Sequence, residues 1–135
     1  MKEVLLYIAE YLGFLWEHNV ESNDYKITFS VSSPGSGCVV ITSSRIRIQL
    51  VHHHGELTME VEPAFIKRSD GYIPYGAIAI EVLQHVMTGE RPAPGTRVTG
   101  EHAAFLRDHL DDVVAHMSPE LWPILKAQAK AIGTR

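Results

Sequence analysis

The stretch that most constrains the fold runs from Arg45 to Glu62, where apolar and polar residues alternate on both sides of His54-Gly55. If His54-Gly55 forms a two-residue turn, with glycine supplying the positive φ such turns need, the flanking segments pair as an antiparallel hairpin. One face then carries His52 against Leu57, Leu50 against Met59 and Ile48 against Val61. The other carries His53 against Glu56, Gln49 against Glu60 and Arg47 against Glu62. A slip of one residue would turn every side chain over, so a register that satisfies both faces at once is strongly specified. The sheet built on this hairpin is expected to have one apolar face and one wet face.

The rest of the chain supplies partners for that hairpin. Val4, Leu5, Ile8, Leu12, Leu15 and Trp16 share one face at 3.6-residue spacing, with Glu10 and Glu17 opposite, which predicts a helix from residue 2 to about 18. Tyr25 to Val31 alternates strictly and predicts a strand. Ser32 to Gly37 reads as the connection to a second strand at Cys38 to Thr42. After a loop from Pro63 to Pro74, a helix is predicted over Tyr75 to Thr88, closed by Gly89 as a C-cap. Glu90 to Gly95, stiffened by two prolines, redirects the chain. Thr99 is an N-cap candidate for a helix reaching about His116, and Ser118-Pro119-Glu120 restarts a last helix through Trp122, Leu125 and Ala129 toward Ile132, with Gly133 as its stop. The expected architecture is α+β: an N-terminal helix, a four-stranded antiparallel meander, then three C-terminal helices packed on one sheet face. At 135 residues, this is one domain spanning 1–135.

Composition removes several classes of function. Twelve Lys and Arg against sixteen Asp and Glu give a formal charge of −4, with no tight basic cluster to hold a phosphate backbone, so nucleic acid is not expected as a partner. The single cysteine, Cys38, permits no internal disulfide and no four-cysteine zinc site, which fits a reducing, cytoplasmic compartment. The N-terminal apolar run is interrupted by Glu10 and reads as a core helix, not a signal peptide, and no run approaches the ~20 apolar residues of a membrane span.

Candidate chemistry is thin. His52-His53-His54 has the ligand type for zinc, but successive strand side chains point to opposite faces, so His53 cannot join its neighbours, and the triplet reads as a solvated hairpin tip. His102, His109 and His116 lie seven apart, about 10.5 Å of helix rise, too far to share an ion. Asp112 and His116 are spaced for a weak contact at a helix C-terminus. Glu60 with Glu62, or Asp108 with Asp112, are carboxylate pairs by spacing alone. Cys38 reads as an inert core thiol. No phosphate loop, dinucleotide glycine pattern, nucleophile elbow or His-Glu-x-x-His motif occurs, so no cofactor, metal or catalytic residue is assigned. Tyr72-Ile73-Pro74-Tyr75 and Trp122 are aromatic anchors or plugs at a core end, the plug being favoured.

The hairpin from Ser44-Arg45-Ile46-Arg47-Ile48-Gln49-Leu50 through Gly55-Glu56-Leu57, the Tyr75–Gly89 helix, and the pair Ala104-Phe105-Leu106-Arg107-Asp108-His109-Leu110-Asp111-Asp112-Val113-Val114 with Ser118-Pro119-Glu120-Leu121-Trp122 resemble a pattern in small, mostly uncharacterised bacterial α+β proteins. The resemblance covers about residues 44–130 and is architectural. Proteins of this build include cognate immunity proteins of polymorphic-toxin systems, so it implies a non-enzymatic protein-binding domain that occludes a toxin. The face bearing Arg47, Gln49, His53, Glu56, Glu60 and Glu62 is the expected partner-binding surface. Two other readings stand beside it: a small-ligand or metal-dependent enzyme using the sheet–helix crevice with His52 or His54, and a homodimer or larger homo-oligomer paired through a strand edge or the C-terminal helices.

Overall fold

The computed structural model describes residues 2–16, 25–33, 36–53, 55–66, 77–90 and 98–133. In chain order these hold α1 (Lys2–Tyr11), a 3-10 turn (Gly13–Trp16), β1 (Lys26–Ser33), β2 (Ser36–Thr42), β3 (Ile46–His53), β4 (Glu56–Pro63), β5 (Ile78–Ala79), α2 (Ile80–Thr88), α3 (Gly100–Asp108), α4 (Leu110–His116) and α5 (Trp122–Gly133). The architecture is α+β around one antiparallel sheet, ordered β1-β2-β3-β4-β5.

The β3–β4 register is the one that the sequence predicts, pair for pair, from Arg47 opposite Glu62 to His53 opposite Glu56. Gly55 carries its positive φ of 80°. β2 lays Val39 and Ile41 beside Leu50 and Ile48, extending the apolar face by one strand. That face supplies the sheet's share of the main core, with Ile46, Ile48, Leu50, Met59, Val61 and Ile78 packed under Val4, Ile8, Leu83, Leu106, Val113 and Leu125 of the helices. All the helices therefore contribute to covering one side.

Several boundaries differ from expectation. The first helix stops at Tyr11, not near 18: Leu12 closes the last α-turn onto the Ile8 carbonyl at 3.0 Å, and Gly13, a poor helix former, opens a tighter turn. That turn buries Leu15 and points the Trp16 indole N–H at the Tyr25 carbonyl, 3.0 Å away. The first two strands run further than expected, to Ser33 and from Ser36. The meander gains a fifth strand because Ile78-Ala79 stays extended and pairs with Val61 and Glu60, so α2 starts only at Ile80. Gly89 caps α2 in the left-handed region, φ 80°, its N–H bonded to the His85 carbonyl at 2.8 Å. The helix expected from Thr99 to His116 is two helices broken at His109, whose φ of −118° leaves the α region, so four helices follow the meander instead of three. Thr99 does begin the first of them, its backbone N–H donating to His102 Nδ1 at 3.0 Å. Ser118 to Leu121 is a turn, with the Leu121 N–H bonded to Ser118 Oγ at 3.2 Å. The last helix begins at Trp122 and takes Pro123 in its first turn, where no N–H is needed.

Candidate functional site

The second face of the sheet carries the predicted partner-binding residues, and there the expectation of a wet surface fails. Gln49 and Glu62 are each 2% exposed. The Arg47 guanidinium donates to Glu62 Oε1 at 2.8 Å, to the Ala64 carbonyl at 3.0 Å and to the Ile66 carbonyl. Arg47 thus ties β3 to the chain that leaves β4. Val40 and Cys38, on the same side of β2, are buried too, as a core thiol would be. Glu60 is half-buried, and its carboxyl is pushed above the ordinary carboxylate range, first by burial, then by the neighbouring charges of Glu81 and Glu62. Only His53 and Glu56, at the hairpin tip, are exposed among the six. The Arg47–Glu62 pair, with Glu62 2% exposed, joins the two central strands and is largely withdrawn from solvent.

The carboxylate pairs read from spacing are likewise engaged or apart from any cleft. Glu62 is held by Arg47, while exposed Asp108 bonds to the neighbouring Arg107 at 3.0 Å. His52 turns to the helix-covered face, its Nε2 4.0 Å from Glu3 Oε2 and its buried Nδ1 without a hydrogen-bond partner among the described residues. His53 points the other way, as the pleat demands, and His54 lies outside the described residues. Glu3, at the start of α1, is held below the ordinary carboxylate range, first by a backbone hydrogen bond and then by His52. His109 packs on Phe105 with ring centroids 5.0 Å apart, and His116 Nδ1 donates to the Asp112 backbone carbonyl at 2.7 Å, not to its carboxylate. Among the described residues no group of three or more His, Cys, Asp or Glu is placed to hold a metal ion.

What the sequence reading did not single out is the exposed apolar pair on the first strand. β1 forms one edge of the sheet and pairs with β2 alone among the described residues. Ile27 and Phe29 stand in register with Ile41 and Val39, on the side the helices cover, yet they are 37% and 59% exposed. Alternation predicts the strand without its place in the sheet; the missed signal is topological, since the first strand of a meander is an edge and the helical layer need not reach it. Exposed apolar residues also lie on α1, at Leu5, Leu6 and Tyr11. Trp122 is buried, as a core plug would be, whereas Tyr72-Ile73-Pro74-Tyr75 and the Arg91–Gly95 linker lie outside the described residues. No helix among the described residues is long and apolar enough to cross a membrane. No protein-family model, curated protein or solved structure matches the chain.

Proposed function

We propose that the chain is a non-enzymatic protein-binding module, of the immunity-factor type that the architectural resemblance implies, and that it takes its partner along the β1 edge. The observation that supports this reading is Phe29, a large aromatic side chain 59% exposed on a strand that pairs with β2 alone among the described residues. Such an edge offers unpaired backbone groups to an added strand, and alternate side chains such as Ile27 and Phe29 give that strand its grip. The net charge of −4 favours a basic partner and speeds the encounter.

The test is co-purification of the untagged chain with proteins encoded beside it, using an edge variant (Ile27→Lys, Phe29→Glu) and a tip variant (His53→Ala, Glu56→Ala). A stoichiometric partner retained by the tip variant and lost by the edge variant supports the reading. Loss in the tip variant alone moves the contact to the hairpin. Absence of any stoichiometric protein rejects the module. Light scattering separates the homo-oligomer: a mass above 15.1 kDa that falls to 15.1 kDa in the edge variant makes the partner a second copy.

A further inference from the structure

Three elements meet at two residues. The Val98 N–H donates to the Leu57 carbonyl of β4 at 2.8 Å, the Thr99 carbonyl accepts the Tyr7 hydroxyl of α1 at 2.6 Å, and the Thr99 N–H donates to His102 Nδ1 of α3 at 3.0 Å. Beside them Gly100 stands against the Tyr11 ring of α1. The hairpin, the N-terminal helix and α3 are thus fastened to one short length of chain.

The third of these bonds depends on a charge state. A backbone N–H only donates, so Nδ1 must accept, and the imidazole is neutral with its proton on Nε2. His102 fills the third position of α3, where a capping box ordinarily carries Glu or Gln, whose oxygen accepts at neutral pH. A proton on Nδ1 turns the acceptor into a donor and sets N–H against N–H. It also places positive charge at a helix N-terminus, the end that disfavours it. The Thr99 hydroxyl, 3.4 Å from Nδ1, can take up that new N–H, but the Thr99 amide is then left to solvent.

The surroundings leave the ring as the group that changes charge. Of the titratable groups on α1, Tyr7 and Tyr11 reach the seat, and phenols carry no charge across the neutral range. Among the described residues Glu3 and Glu10 of α1, Glu81 of α2 and Asp111 and Asp112 of α4 form no ion pair with His102, and Glu101, its neighbour on α3, is exposed.

We propose that His102 is a pH-sensitive latch on this seat: a proton taken up by its ring releases the Thr99 N–H and loosens the junction of α1, β4 and α3. Only the neutral ring makes the bond, so its contribution is present above the imidazole range, about pH 6.5, and is lost as pH falls through it. The latch does not depend on the β1 reading.

The experiment is a residue-resolved NMR titration of the full chain from about pH 8 to about pH 5, with urea denaturation at both ends, on wild type, His102→Gln and His102→Ala. In wild type the Thr99 and Gly100 amides and the Tyr7 ring should shift in step with the His102 ring; in His102→Gln that step should vanish. Glutamine completes the ordinary capping box, so His102→Gln should match wild type at the upper pH and exceed its folding equilibrium constant about fivefold at the lower. His102→Ala should fall about fivefold below wild type at the upper pH and be no less stable than it at the lower. The remaining histidines are common to all three chains and cancel in these differences. A Thr99 amide that ignores the ring's titration would overturn the proposal. So would junction signals that move equally in His102→Gln, a His102→Gln difference of the same size at both ends, or a His102→Ala chain as stable as wild type at the upper pH.

Discussion

Arg47 and Glu62 pose a question of single charges. Glu62 is buried, and the guanidinium that neutralises it also ties down two backbone carbonyls beyond β4. Arg47→Met should therefore cost about 3–5 kcal/mol in urea denaturation, because a buried carboxylate loses its partner. Adding Glu62→Leu should recover a large part of that loss, since an apolar pair of similar volume removes the unpaired charge. Glu60 makes a different demand. Its folded carboxyl holds its proton more tightly than the ordinary value of 4.5, by burial and then by Glu81 and Glu62, with Arg47 facing the same cluster. The folded state then binds more protons than the unfolded one as pH rises from 4.5 through the folded value, so stability falls across that window and stays lower above it. Glu60→Gln should remove this fall: thermal midpoints should exceed wild type at pH 7 and converge with it near pH 4. A variant less stable than wild type at pH 7 would show that Glu60 contributes as a carboxylate.

Among the elements, the β3–β4 hairpin was fully legible, because its two faces impose independent constraints that only one register meets. Gly89 was legible as a helix end for a similar local reason. An added Cβ there meets nothing within 4 Å, so the cost of Gly89→Ala is the φ of 80° alone, about 1 kcal/mol by chemical denaturation. Legibility failed where distant contacts decide. Ile78-Ala79 fits a helical stripe as well as a strand, and only the proximity of Val61 and Glu60 selects the strand. The apolar stripe through Leu106, Leu110 and Val113 continues across His109, so nothing local announces the break there. Of the six residues placed on a wet face, Gln49 and Glu62 are buried, and Arg47 spends its guanidinium on Glu62 and on the Ala64 and Ile66 carbonyls seventeen and nineteen residues away, contacts that alternation does not announce. Alternation predicts the strand that holds Phe29 but not its place at the edge of the sheet, which leaves that ring 59% exposed.

For the molecule as a whole, the two tryptophans report from its two ends: Trp16 bonds to the Tyr25 carbonyl beside the sheet, and Trp122 lies buried at the start of α5. In single-tryptophan variants, Trp16→Phe and Trp122→Phe, fluorescence unfolding curves should have coincident midpoints once corrected to the same stability, as one cooperative core requires. Separate midpoints would divide the chain into two units. The contact that joins its extremes is small. The Tyr7 hydroxyl, whose titration is raised by burial and by Tyr11, donates to the Thr99 carbonyl at 2.6 Å, across 92 residues. Next to it Gly100 leaves space for the Tyr11 ring, whose Cε1 lies 2.8 Å from where a Cβ would sit. The meander forms from neighbours in sequence and can assemble early, whereas the seat that locks α1 against α3 waits for Gly100, and α4 and α5 follow it. A growing chain on the ribosome therefore exposes part of the Ile48, Leu50, Met59 and Val61 surface for the time needed to translate from β4 through α5, and a message truncated in that interval yields a sticky fragment that the cell must shield or degrade.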